Sequence, residues 1–147
     1  MTEAETALRD LLADPAQAGA YFVDARDRDA LLAAAPALGF ALAVVDFAGC
    51  TGKDDALARI AHALGFPDWF GGNWDALADC LFDLGWRTAP GHVLVLDHVE
   101  AWRADARTDF DTLLEILNEA AGLWALRRTP FWALLPVDAA LLATLEA

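Results

Sequence analysis

Asp75, Asp79 and Asp83 recur at i, i+4 and i+8, the spacing that lines up three carboxylates along one side of an α-helix. Like charges so placed repel by roughly a few tenths of a kcal/mol per pair, and aspartate is a mediocre helix former. Asp75 near the helix start is favoured by the macrodipole, whereas Asp83 near its end is not. From Phe66 to Gly85 the chain carries four Asp and no Lys or Arg. Such a stripe is either a solvated acidic face or a surface that receives a cationic partner. Composition does not choose between the two. Carboxylates at 75 and 79 are also the residue types of acid–base or Mg²⁺-dependent chemistry. Nothing in the sequence marks a pocket that would raise either pKa.

Other chemistry-bearing residues point to structure. His62, His92 and His98 have no ligand-type spacing with one another or with Cys50 and Cys80, so no metal site is expected. Cys80 falls on the apolar side of its helix, which predicts a buried, inert thiol. Gly71-Gly72 is followed by Asn-Trp-Asp, not by a phosphate-binding sequence, and an acidic helix start repels phosphate. No cofactor is expected. The tryptophans at 74, 86, 102, 124 and 132 read as packing residues. Trp69 lies in an irregular stretch beside the acidic stripe and is either a contact residue or a loop aromatic folded onto the core.

The element that positions the stripe is a loop feeding a helix. Pro67 and Gly71-Gly72 break regular structure, and Asn73 is a good N-cap. With Gly85 as the C′ residue, the helix runs from Trp74 to Leu84 and turns Trp74, Leu77, Cys80, Leu81 and Leu84 inward. Around it, apolar runs alternate with helical patterns. Thr2–Ala13 predicts a helix with Leu8, Leu11 and Leu12 inward, followed by a short strand at Tyr21–Val23. Asp27 caps a helix from Arg28 to about Ala35, where Pro36 disturbs it. Phe40–Val45 reads as a strand buried on both faces. Thr51 and Asp54 resemble a capping box for a helix that ends at Leu64, with Gly65 closing it. Val93–Leu96 is a further buried strand, followed by helices at about Val99–Ala104 and Asp109–Ala121. Phe131–Leu135 is the last strand, and Asp138 caps a final helix to Leu145. Alternation of this kind predicts an α/β fold with right-handed crossovers and a small parallel sheet.

The 147 residues are expected to form a single domain. A net charge of −13 and a pI near 4.3 argue against direct binding of nucleic acid or an anionic membrane. They favour a basic protein partner, or solubility alone. Glu3, Glu5, Arg9 and Asp10 interrupt any signal-peptide core, and no apolar run is long enough to span a membrane. Two cysteines make no disulfide framework. The expectation is a cytoplasmic protein, monomeric when free.

The run from Pro67 to Leu81, Pro-Asp-Trp-Phe-Gly-Gly-Asn-Trp-Asp-Ala-Leu-Ala-Asp-Cys-Leu, resembles the signature of the barstar family of ribonuclease inhibitors. That signature is an aromatic pair, Gly, any residue, Asn, any residue, Asp-Ala-Leu, any residue, Asp, often followed by Cys-Leu. The resemblance implies a core at residues 40–136 with three parallel strands in the order strand, helix, helix, strand, helix, helix, strand. Residues 1–39 would then be an extension that adds a helix, a fourth strand and another helix, and residues 137–147 a C-terminal helix. Members of the family bind a basic secreted ribonuclease inside the producing cell and block its active site with an acidic helix and the preceding loop. Position by position, the resemblance assigns partner contacts to Trp69, Gly71, Asn73, Asp75 and Asp79, and to Glu119 in the long helix. Departures fall at the rim. Ala78 stands where a large aromatic can separate the two aspartates, Phe82 and Asp83 replace small residues, and Leu84 replaces an aromatic. They leave room for a different basic toxin, such as a deoxyribonuclease, as the partner. A carboxylate- and Mg²⁺-dependent enzyme is the reading from another class.

Overall fold

Two strands, β3 (His92–Asp97) and β4 (Phe131–Val137), are buried along their whole length in the computed structural model, which describes residues 2–146. Their unbroken apolar runs require cover on both faces, and that places them at the centre of a sheet. β1 (Ala20–Asp24) and β2 (Ala41–Asp46) flank them in the order β1-β4-β3-β2, all parallel. His92 is aligned with both Ala41 and Phe131, and Ala20 with Ala133. The extension therefore supplies a fourth strand at the sheet edge, as expected.

Helices cover both faces. α1 (Glu3–Leu12) and α2 (Arg28–Ala37), joined through β1 and a 3₁₀ turn at Ala25–Asp27, lie over Val93, Val95, Trp132 and Leu134. The opposite face, with Val45, Leu94, Leu96 and Leu135, packs against α3 (Lys53–Leu64), α4 (Trp74–Asp83), α5 (Glu100–Asp105), α6 (Arg107–Leu126) and α7 (Ala139–Glu146). Arg28 holds Asp97 in a two-pronged ion pair, Nε–Oδ1 2.9 Å and Nη2–Oδ2 2.7 Å. That contact ties the extension to the end of β3.

Several local expectations change. β2 is an edge strand, and Val44 is exposed between buried Ala43 and Val45; a strand buried on both faces needs neighbours and helix cover that an edge position lacks. Leu11 is exposed, because α1 meets the sheet through Leu12. α2 runs through Pro36 to Ala37, since a proline in the last turn removes only one hydrogen bond. Asp27 makes no side-chain cap. At the start of α3 it is Asp55, not Asp54, that accepts from the Thr51 N–H at 3.0 Å. α6 is longer than its apolar periodicity suggested at both ends.

His92 is 2% exposed, with its ring centroid 5.1 Å from that of Trp124. Burial, then the nearby Arg87 charge, lowers its pKa to about 4. An unfolded histidine titrates near about 6.5, so between about 6.5 and about 4 the unfolded chain binds the proton first. Stability present above that window is lost as the pH falls through it. Asp24, Asp46 and Asp55, held low by hydrogen bonds, add their own losses as the pH passes the ordinary carboxylate value near about 4. Urea unfolding should show a decline on the order of 1–3 kcal/mol across the histidine window. His92→Gln should flatten it; an unchanged slope in that variant would assign the loss to other groups.

Candidate partner-binding face

The loop before α4 is built to deliver a helix N-terminus. Gly65, in the left-handed region at φ 66°, ends α3. Gly72 has φ 69°, a conformation costly for any residue with a Cβ. The conformational need thus falls on Gly72, while Gly71 lies outside the left-handed region, and a Cβ placed on it would meet the Ala76 Cβ at 3.6 Å, an ordinary contact. Asn73 caps the helix: its Oδ1 accepts the Ala76 N–H at 2.7 Å.

The underside of α4 carries the packing. Leu77, Cys80 and Leu81 are all 0% exposed. Burial pushes the Cys80 thiol pKa up, with the Asp79 and Asp83 charges adding to it, which matches the inert thiol expected from its helix face. α6 holds the far end. Trp124 donates its Nε1–H to the Leu81 carbonyl at 2.8 Å, and Arg127 donates from Nη1 to the Phe82 carbonyl at 2.7 Å. The Arg127 guanidinium also lies 4.4 Å from the Trp124 ring centroid. A cation at the helix C-terminus offsets the dipole end that Asp83 aggravates. The helix ends at Asp83, one residue earlier than expected, and Leu84, not Gly85, takes the left-handed position after it. Leu84 adopts φ 45° and is 1% exposed, so its burial outweighs a left-handed penalty of about 1–2 kcal/mol. Leu84 is a core residue, not part of the rim. The aromatic at that end is Trp86.

The upper face is acidic and open. Asp75, Asp79 and Asp83 are all exposed, and none takes part in an ion pair among the described residues. Four arginines pair with other carboxylates: Arg26 with Asp24, Arg28 with Asp97, Arg59 with Asp55, Arg107 with Asp111. Ala78 and Phe82 are half-buried between the stripe and the core. Glu119 is exposed on α6, the helix that grips the end of α4.

Trp69 stands 60% exposed, so it is not folded into the core. It is nonetheless held. Its ring meets Trp86 edge to face at 6.3 Å and 85°, and Trp86 is fixed by donating Nε1–H to the Leu64 carbonyl at 3.1 Å. Phe66 packs on both Phe70 and Trp86. Trp86 is half-buried against the core, the packing role expected of it, and braces the loop as well. Its position directly after the turn that ends α4 was the available signal.

Taken together, the chain is a parallel α/β protein that presents one exposed acidic helix and a braced aromatic loop. It belongs to the barstar family: the family model described as "Barstar (barnase inhibitor)" matches residues 40–136. A comparison with curated proteins gives no match. Among solved structures, the ORC2 protein of Aeropyrum pernix, in ADPNP–ADP complexes, is similar at a TM-score of 0.63 and 16% identity. That match covers 97% of this chain and 42% of the other, and at such identity it shows a shared fold alone. Among the described residues, no His, Cys, Asp and Glu side chains cluster so as to hold a metal ion, and no helix is long and apolar enough to cross a membrane.

The geometry separates two kinds of residue by their effect on stability. Asn73→Ala should lower it by about 1 kcal/mol through the lost cap. Asp79→Ala should leave it unchanged or raise it by roughly a few tenths of a kcal/mol, since a mid-helix repulsion is removed and alanine is the better helix former. Thermal or urea unfolding of the two variants checks both signs.

Proposed function

We propose that this protein is a barstar-like inhibitor that binds a basic secreted ribonuclease one to one inside the producing cell. In this reading α4 and the loop before it occlude the enzyme's active site. One observation carries the proposal: the aspartates at the family's signature positions are exposed, mutually repelling and in no ion pair among the described residues. Apart from Asp75 in the first turn, the free helix gains no stability from that row. A groove lined with Arg and Lys, shaped for RNA phosphates, supplies the missing cations.

The residues divide the work. Asp75 and Asp79 take the places of substrate phosphates, and Asp83 extends the negative field. Trp69, with Gly71 and Asn73 shaping the loop, supplies an apolar contact beside the charges. Glu119 adds a carboxylate from α6. Ala78 and Phe82 form the rim that admits one enzyme and refuses another. Inhibition needs no turnover, and Asp75 and Asp79 stand open to water, without the enclosure that tunes a catalytic carboxylate. We therefore read the chain as a binder, not a catalyst.

A second reading keeps the same face and changes the partner to another basic toxin, such as a deoxyribonuclease. The small Ala78 and half-buried Phe82 beside the aspartates favour keeping it in view. Capture of the partner from the source cell's own secreted or toxin-like proteins, followed by assays on RNA and DNA, separates the two.

Electrostatic steering makes association salt-dependent, because exposed charges are screened beyond about 10 Å at 0.1 M salt. The association rate with the captured nuclease should fall markedly from low to high salt, with dissociation little changed. A rate flat across that range would contradict steering. Asp79→Ala should cost about 2–5 kcal/mol or more of binding, a range set in part by barstar-family complexes themselves, because a desolvated cation on the partner is left unpaired. Trp69→Ala should cost about 2 kcal/mol while the thermal midpoint stays put. Full inhibition by the Asp79 variant would remove this face from the account.

A further inference from the structure

The sheet face away from α4 holds an apolar groove that the inhibitor reading does not use. Its volume is about 550 Å³, within the range of roughly 300–1,000 Å³ usual for small-molecule sites. Trp132 and Leu134 of β4 form its floor, Leu8 and Leu11 of α1 one wall, and Tyr21 and Val23 of β1 another. The groove exists because α1 reaches the sheet only at its C-terminal end. There Leu12 is buried, and its carbonyl accepts the Trp132 Nε1–H at 2.9 Å. Beside this anchor, Leu11 and Tyr21 remain 45% and 46% exposed. Two large side chains thus stay wet at the lip of a concavity that a ligand could dry.

Charge selects the ligand. The charged residues of the lining are Glu5 and Asp27, and it contains no Lys, Arg or His. Both carboxylates are exposed, and neither forms an ion pair among the described residues. Arg26 and Arg28, next to Asp27 in sequence, are engaged by Asp24 and Asp97. Arg9 lines an adjoining recess between α1 and α2 that shares Glu5, Leu8 and Ala30 with the groove, and it forms no ion pair with Glu5. Asp27 makes no capping bond and the Glu5 side chain accepts none of the hydrogen bonds at the start of α1, so both are free to receive a cation.

We propose that this groove binds a small amphiphilic cation, with its apolar body on Trp132 and Leu134 and its ammonium group between Glu5 and Asp27. The apolar floor supplies affinity, and the two carboxylates supply the preference for positive charge.

The test is a titration of the full chain with decyltrimethylammonium and with decanoate, each below its micellar concentration, followed by amide and indole NMR shifts. Saturable shifts are expected in α1, in β1 and at the Trp132 indole N–H, with decanoate about tenfold weaker or more. Glu5→Gln combined with Asp27→Asn should bring the two ligands to similar affinity. Ala30→Trp, which adds bulk to the groove from an exposed position on α2, should abolish binding of both. Should that variant fail to fold, the double carboxylate variant alone decides. Shifts that do not saturate, equal binding of decanoate by the parent, or groove shifts that grow with protein concentration alone, marking a second copy as the occupant, would each overturn the proposal.

Discussion

A row of like charges that enters no ion pair among the described residues is the constraint around which this structure is arranged. Asp75, Asp79 and Asp83 would weaken any isolated helix, and α4 is only ten residues long, too short to be stable by propensity alone. Its stability is imported. Leu77, Cys80 and Leu81 bury its underside, Asn73 satisfies its first turn, and Trp124 and Arg127 bond its last carbonyls. Every one of these contacts acts on the inner face, the start or the end of the helix. The outer face is left free to carry charge, of which only Asp75, in the first turn, favours the helix.

That arrangement explains why α6 is long and why the sheet is central. α6 must extend to Leu126 for Trp124 and Arg127 to reach the end of α4, and it can do so because Phe110, Leu113, Leu117 and Ala121 anchor it over the sheet. The sheet is rigid in turn because β3 and β4 are covered on both faces. The family model begins at residue 40, yet α1 and α2 before it provide the second cover, over Val93, Val95, Trp132 and Leu134. The extension thus completes the core under β4 and β3 while remaining on the face opposite α4.

Much of this was legible because strong local patterns agreed with the global fold. Val93–Leu96 and Phe131–Leu135 could only be interior strands, and the Trp69–Leu81 signature fixed both the capped helix and its family. What escaped depended on tertiary partners. Gly85 looks like the helix stop, but Leu84 takes the left-handed position because burial holds it there. Leu11 fits the apolar stripe of α1 yet stays exposed and lines a groove, while its neighbour Leu12 is buried. Val44 sits in an apolar run but on an edge strand, and no local pattern reveals edge from centre. Trp86 could not be told from core tryptophans until the loop that it braces was seen. The candidate face itself was legible as a pattern of charge; that its carboxylates enter no ion pair among the described residues was not, because pairing depends on where the fold sets each arginine side chain.

The central claim is that the loop at residues 67–73 and the outer side of α4 form the contact with a basic nuclease. Hydrogen exchange on the free protein and on its complex with the captured enzyme tests that claim most directly, because the loop amides are not held in a helix or strand ladder when free. The account predicts new protection concentrated at residues 67–73 and along α4, with little change at α1 and α2. Protection that leaves the loop untouched and appears on the opposite sheet face would contradict it.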